Sequence, residues 1–422
     1  MNKINLMAPV SALTGLLLAL PAAAQEPAAS DEELPAYVQQ PPAGVQERPL
    51  MVLIGSSVTS DSNVFHLSAS DDPQALLGRP SKSDRISTTY AGLRLDKPYA
   101  QQRFHLDVTE TAYRYDNFSF LDFNALQYQG SWQWHFTPRV SGTLAADRTE
   151  ALVNYTDFRN ASQRNLRTLQ NSSLSVDAWL FGGWHLLGAA TQQAAKNSVS
   201  FVQLGSYRAT AGEGGVKYVA GSGSSVTFNL RSIAGHFTDR AADPMTLLDD
   251  GFTRSETELL TTWNITGKST LDGRLARVDY HSSHFAERDF TGAAARLGFR
   301  WAPTARLSLN LAMSQDLQPW QDSFASYRVD QRLSFGPRWE LGAKTALAMT
   351  LEHATFDFRN PVVPFAAPQR HDAFRRAQLA LDWQLLRNVS VKASLQRNLY
   401  TSNNPTVPFD STVATLDASL MF

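Results

Sequence analysis

The segment from Thr412 to Phe422 alternates without a slip between two kinds of side chain. Ala414, Leu416, Ala418, Leu420 and Phe422 fall on one face, and Thr415, Asp417 and Ser419 on the other. Strict period two marks a β-strand with one apolar and one polar face. A run of about ten residues is the length a tilted strand needs to cross a bilayer. In a soluble fold the same stretch would be an edge strand of a sandwich. The upstream chain discriminates between these two settings.

The start of the chain favours export. Met1-Asn-Lys3 is a short positive segment, and Leu6 to Leu20 is apolar and contains Leu16-Leu-Leu-Ala-Leu20. Pro21 breaks the run, and Ala22-Ala-Ala24 fits a small-residue cleavage site before Gln25. Residues 1–24 read as a cleaved signal peptide, too short for a membrane anchor. Residues 25–49 are rich in proline and acid and have no periodicity, which predicts an extended periplasmic tail outside the fold. A docking peptide for a periplasmic partner is the functional alternative.

The chain has no cysteine, which excludes disulfides, thiolate chemistry and a lipid anchor on cysteine. Beyond residue 24, no uncharged apolar run approaches the roughly 18 residues of a membrane helix, so any membrane crossing must use strands. A net charge of −1 gives no overall pull toward nucleic acid, which is not expected as a partner.

From residue 50 onward, alternating segments recur between turn signals. Short turns are predicted at Asp96-Lys-Pro98, Thr137-Pro-Arg139, Phe181-Gly-Gly183, Gly221-Ser-Gly-Ser224, Thr266-Gly-Lys268, Ala302-Pro-Thr304, Gly336-Pro-Arg338 and Leu386-Arg-Asn388. They recur roughly every 40 residues, one hairpin plus one longer loop of a barrel meander. Longer connections rich in Asp, Asn, Ser and Pro lie between them. The pattern predicts an all-β fold over 50–422: a transmembrane antiparallel up-and-down β-barrel of about 18 strands, or 16 if the first hairpin is peripheral.

A soluble sandwich would also alternate, but it would scatter tryptophan through its core. Here eight of the nine tryptophans lie within about five residues of a predicted short turn: Trp132, Trp134, Trp179, Trp184, Trp263, Trp301, Trp339 and Trp383. That is an aromatic belt at the periplasmic interface. The terminal amphipathic strand closing on Phe422 also resembles the assembly signal of bacterial outer-membrane barrels. Outer-membrane lipid and the barrel-assembly machinery are the partners this implies.

The polar parity should face a wet lumen. It carries Arg231, Arg274, Arg296, Arg300, Arg306, Arg328, Arg332, Lys344 and Lys392, interspersed with Asp177, Glu256, Glu258, Asp272, Asp316, Asp330, Asp382 and Asp417. Most of these charges are expected to pair across neighbouring strands. Those left over would attract carboxylates or phosphates, and Tyr113 and Tyr115 could stack on sugar rings. Enzymatic signatures are missing: there is no G-x-S-x-G, H-E-x-x-H, P-loop or G-x-G-x-x-G after a strand. His281 and His284 sit at a strand-to-loop junction, and no carboxylate at a fixed spacing completes a metal site. Neither a cofactor nor a metal is expected.

Four stretches are more specific than barrel grammar requires: Ser60-Asp-Ser-Asn-Val-Phe65, Ala91-Gly-Leu-Arg-Leu-Asp-Lys-Pro-Tyr-Ala-Gln-Gln-Arg-Phe104, Tyr113-Arg-Tyr-Asp-Asn-Phe118 and Gln163-Arg-Asn-Leu-Arg-Thr168. With the chain length, they resemble the EpsL-type outer-membrane proteins of exopolysaccharide biosynthesis, within a broad group of barrel porins. The resemblance is best in the first half. It implies a barrel that gives a hydrophilic polymer a polar path, with polysaccharide and periplasmic export proteins as partners, and it supplies no catalytic residues. A small-solute diffusion porin and a non-conducting scaffold are the competing readings.

Overall fold

The computed structural model describes residues 49–156, 162–200, 205–322, 324–362 and 369–422. The signal peptide and nearly all of the proposed tail lie outside them. The strands are β1 Leu50–Asp61, β2 Asp84–Tyr99, β3 Gln102–Tyr115, β4 Phe123–Thr137, β5 Val140–Leu152, β6 Leu166–Phe181, β7 Trp184–Asn197, β8 Tyr207–Val219 and β9 Ser225–Phe237. They continue as β10 Gly251–Thr266, β11 Ser269–Ser282, β12 Phe290–Thr304, β13 Leu307–Pro319, β14 Tyr327–Gly342, β15 Thr345–Arg359, β16 His371–Leu386, β17 Val389–Ser402 and β18 Phe409–Met421. One short helix, α1 Pro73–Leu77, interrupts the first long loop.

Each strand pairs antiparallel with its sequence neighbours, and β1 pairs with β18 from Leu53↔Met421 to Asp61↔Val413, so the sheet has no edge. The backbones of Val52 and Phe422 exchange hydrogen bonds of 2.7 and 3.0 Å at this seam. Closure satisfies the backbone groups that an open edge would leave bare in lipid.

Three of the short turns share a threonine device. The Thr137 hydroxyl accepts from the Arg139 and Val140 amides at 3.2 and 3.0 Å, Thr304 does the same for Arg306 and Leu307, and Thr266 accepts from Lys268. A side-chain oxygen thus holds the amides that the reversing chain leaves unpaired.

Three predicted turns are displaced. β12 runs through Ala302-Pro-Thr304 and reverses at residues 305–306. β2 runs through Asp96-Lys-Pro98 and reverses after Tyr99, where Ala100 takes φ 52°. β14 runs through Gly336-Pro-Arg338 and reverses after Gly342. A proline is tolerated there because the β14–β15 ladder is interrupted between Phe335↔Leu351 and Arg338↔Ala348, so its missing N–H costs no sheet bond.

The two faces separate cleanly. Leu126, Leu144, Leu174, Leu230, Leu259, Leu275, Leu311, Leu333, Leu351, Leu379, Leu395 and Leu416 point outward and are exposed. A continuous leucine band on the outside of a closed sheet is stable only against lipid. At the long-loop end, inward aromatic side chains are covered by loop residues in separate apolar clusters. Tyr113, Tyr115 and Phe123 pack with Phe65, Phe118, Leu121 and Tyr155. Tyr207, Phe237, Phe252, Tyr280 and Phe290 form a second cluster, and Phe356, Phe358, Phe374, Tyr400 and Phe409 pack with Trp320 and Val407 in a third. The loops therefore fold in against the inner wall.

Candidate functional site: the lumen wall

The inner face is set by strand parity. On β8 to β11, cross-strand register places Glu213, Arg231 and Glu256 side by side, then Asn229 and Glu258. Arg274 of β11 lies one register step away and closes the group. Its Nε donates to Glu258 Oε1 at 2.8 Å, and its Nη2 donates to Glu256 Oε2 at 3.1 Å. Arg254 Nε donates to the other Glu256 oxygen at 2.5 Å, and Asp316 lies 3.8 Å from Arg274 Nη1. Glu256 is fully buried and Arg274 is 8% exposed. Low local dielectric strengthens these contacts, and each guanidinium offsets the desolvation of the carboxylates beside it.

The charged wall continues. Arg328 grips Asp330 bidentately at 2.5 and 2.8 Å beneath Phe356, Phe358 and Trp320. Glu352 receives Arg332 at 2.5 Å and Arg376 at 3.4 Å. Nearer the short turns, Arg338 bridges Glu340 at 2.9 Å and Asp382 at 2.6 Å. Lys392 sits in register between Asp382 and Asp417, whose carboxylate also accepts from the Tyr90 hydroxyl at 3.0 Å.

The opposite wall, β3 to β7, is mostly uncharged at mid-height. Thr109, Thr111, Gln127, Gln129, Ser131, Gln133, Thr143, Asn171, Ser173, Ser175, Thr191 and Gln193 share its inward parity. Asp147 accepts from Asn171 Nδ2 at 3.0 Å. A cavity of about 260 Å³ opens here between β1 and β5, against the Arg94–Asp107 pair, Thr109, Gln127, Gln129 and Asp147.

The sequence-derived lumen cations fall into distinct settings. Arg231, Arg274, Arg328 and Arg332 are bound into the wall, with Arg231 3.9 Å from Glu213. Arg300 reaches Asp272 at 2.9 Å. Arg306 and Lys344 are exposed residues of the short turns rather than of the mid-lumen, and Lys344 Nζ lies 3.5 Å from the Leu385 carbonyl. Arg296 is exposed, and it makes no ion pair or hydrogen bond among the described residues.

Tyr113 and Tyr115 correct an expectation. Both face inward, but each is only 6% exposed, and Tyr113 stacks on Phe123 with centroids 4.5 Å apart. Their ring faces are taken by loop residues, so they offer no platform to a sugar. Among the tryptophans, Trp132, Trp184, Trp263, Trp301, Trp339 and Trp383 share the outward parity near the short turns. Trp134 does too, but it is buried against Phe136 and Gly142. Trp179 lies two residues after Asp177 in unbroken register and so has the lumen-side parity; the register shift of its strand comes only after it. Phe422 is half exposed on the outward face.

Sequence reading missed Arg254, Glu213, Glu352 and Arg376 as wall residues. Arg254 shares the parity of Glu256 and Glu258, and Arg376 that of Gln378, so carrying each parity to the strand end finds them. His284 was read without a carboxylate. Across the loops it meets Asp249 at 3.1 Å and Asp250 at 3.2 Å. Asp249 is fully committed: it also accepts from the amides of Gly251, His284 and Phe285. This trio ties loops 238–250 and 283–289 together. Arg288 adds to the tie by donating to carbonyls of Leu247, Thr246, Asp322 and Ala325.

A closed antiparallel barrel with a polar inner wall, an outward leucine band and tryptophans near the short turns is an outer-membrane barrel. No family model matches the chain, and neither does any curated protein. Among solved structures, it is similar to OpdK of Pseudomonas aeruginosa crystallised with vanillate: TM-score 0.49, 11% identity, covering 88% of this chain and 99% of that one. A BenF-like porin from Pseudomonas fluorescens Pf-5 gives TM-score 0.49 and 10% identity over 89% of this chain and 98% of that one. OccK2 (OpdF) of Pseudomonas aeruginosa with glucuronate gives 0.48 and 11% over 89% and 98%. Likenesses this weak bear on neither solute nor mechanism, and the barrel assignment stands on the chain's own strand pairing.

Proposed function

We propose that this barrel is a diffusion channel for small hydrophilic solutes. The observation that supports it is the two-sided inner wall. Paired guanidinium and carboxylate groups on β8 to β16 face amides and hydroxyls on β3 to β7, with the unpaired Arg296 among them. Paired charges hold a polar surface without a large net field. Amides and hydroxyls can exchange hydrogen bonds with a passing solute, because each offers donors and acceptors. The exposed Arg296 guanidinium, which no ion pair holds, can meet a passing anion. A role in polysaccharide export rests on the EpsL-type resemblance, and burial of Tyr113 and Tyr115 removes the sugar platforms that reading would use.

The test is single-channel recording in planar bilayers under a salt gradient. Wild-type protein should conduct, and Arg296→Glu should move the reversal potential toward cation selectivity. Arg300→Glu, which turns the Arg300–Asp272 pair into two acids and so changes the charge by the same two units, should move it in the same direction. Absence of conductance would reject the channel. Hexose measured in medium, periplasm and cytoplasm of a strain lacking the gene tests the rival: polymer retained in the periplasm would favour export.

A further inference from the structure

We infer that the outer wall over β15 to β17 binds the phosphate of an outer-leaflet lipid, with Arg375 as its anchor. The strand ends with long loops face outside, by the usual asymmetry of such barrels. On the outward face of β16, Trp383, Leu381 and Leu379 give way through Ala377 to Arg375, which therefore stands just beyond the leucine band. Across the sheet Arg375 is opposed by His353 on β15 and Leu399 on β17. The diagonal positions add a second cation, Arg397, and no acid.

Arg375 is exposed and has no ion pair or hydrogen bond among the described residues. Arg397 does have partners: its guanidinium is held by Asp410, and it donates to the Thr412 hydroxyl at 2.7 Å. Asp357, further toward the loops, is engaged by His371 at 2.5 Å. Elsewhere on the outer wall, exposed Arg277 is neutralised bidentately by Asp279. Arg375 is thus an uncompensated guanidinium directly above exposed leucines. A phosphate monoester meets its fork bidentately, while acyl chains lie along Leu351, Leu379 and Leu395 below. The two contacts together demand an anionic lipid rather than a soluble anion.

The experiment uses the full-length barrel in nanodiscs, titrated with bisphosphorylated lipid A, its monophosphoryl form or phosphatidylcholine, with bound lipid counted by native mass spectrometry. Retention should follow phosphate content. Arg375→Gln should weaken it about fivefold, as expected for one basic side chain at a membrane surface; Arg375→Lys should recover part, and Arg277→Gln should change nothing. Heat-modifiable migration on gels confirms that each variant is folded. Equal retention by Arg375→Gln and wild type would overturn the site. Competition by inorganic phosphate as effective as that by lipid would overturn the claim that acyl contacts are part of it.

Discussion

Replacing Arg274 with methionine removes the cation that holds two buried carboxylates. Glu256 and Glu258 sit two residues apart on one inward face of β10, so their side chains are neighbours. Arg274 reaches them at 3.1 and 2.8 Å. At an effective dielectric of about 20, one such contact is worth about 5 kcal/mol. Methionine recovers the cost of desolvating the guanidinium, but Glu258 then loses its cation and keeps the neutral Asn229 amide at 3.4 Å. Glu256 still has Arg254. Removing one partner from a buried ionic group costs about 3–5 kcal/mol, and the low end applies because Arg254 remains. We expect Arg274→Met to lose about 3 kcal/mol in reversible guanidinium unfolding in lipid vesicles, followed by tryptophan fluorescence. Adding Glu258→Gln should restore at least half, since the amide carries no charge to strand. A loss under about 1 kcal/mol for the single variant, or no rescue by the second change, would refute the premise that this cluster is a desolvated, mutually dependent unit.

Two further outcomes follow from the geometry. Leu381→Arg, outward in the leucine band, should cost about 2–4 kcal/mol in the same assay, whereas Ser394→Arg, facing the lumen from the adjacent strand, should cost far less; equal penalties would reverse the assignment of inside and outside. The Asp249–His284 tie should make the loop end sensitive to pH. The hydrogen bond to Asp249 raises the pKa of His284 above its ordinary 6.5, so its contribution is present below that value and fades as pH rises through the higher folded value. Although burial works to raise it, Asp249 is held below the usual 3.8 by its amide and His284 donors, so its contribution is present above 3.8 and fades as pH falls through the lower folded value. Limited proteolysis of loops 238–250 and 283–289 should therefore be slowest between the two ranges and quicken toward alkaline pH. His284→Ala should abolish the alkaline change, and a flat profile in wild type would remove the histidine from the tie.

Most of the architecture was legible because a wide barrel writes its two environments directly into the chain. Leu307, Leu309, Leu311 and Met313 against Ser308, Asn310 and Ser314 separate lipid from lumen by period alone, whichever strand lies next door. Strand number followed from turn spacing. The turns that slipped each carry a proline that the strand passes through: Pro98 lies beyond the end of the β1 pairing, and Pro303 and Pro337 fall where the ladder to the next strand is interrupted. Trp179 shows a different limit: its nearness to a turn suggests the belt, while its own parity, that of Asp177, puts it on the lumen side.

The sequence by itself determined which side chains meet lipid and which meet the lumen, because parity is a local property of a strand. It also determined closure in principle, since an even set of amphipathic hairpins leaves no tolerated edge in a bilayer. Only the tertiary structure decided which lumen charges neutralise one another. Arg274 finds Glu256 and Glu258 through the cross-strand register of β10 and β11, and Arg296 forms no ion pair because Ser314 and Arg274 are its register neighbours. It also decided that the loops turn inward. Tyr113 and Tyr115 read as open lumen residues from their parity, yet Phe65, Phe118 and Tyr155, distant in sequence, cover them. Those partners are set by how the loops fold back over the inner wall, which no local pattern encodes.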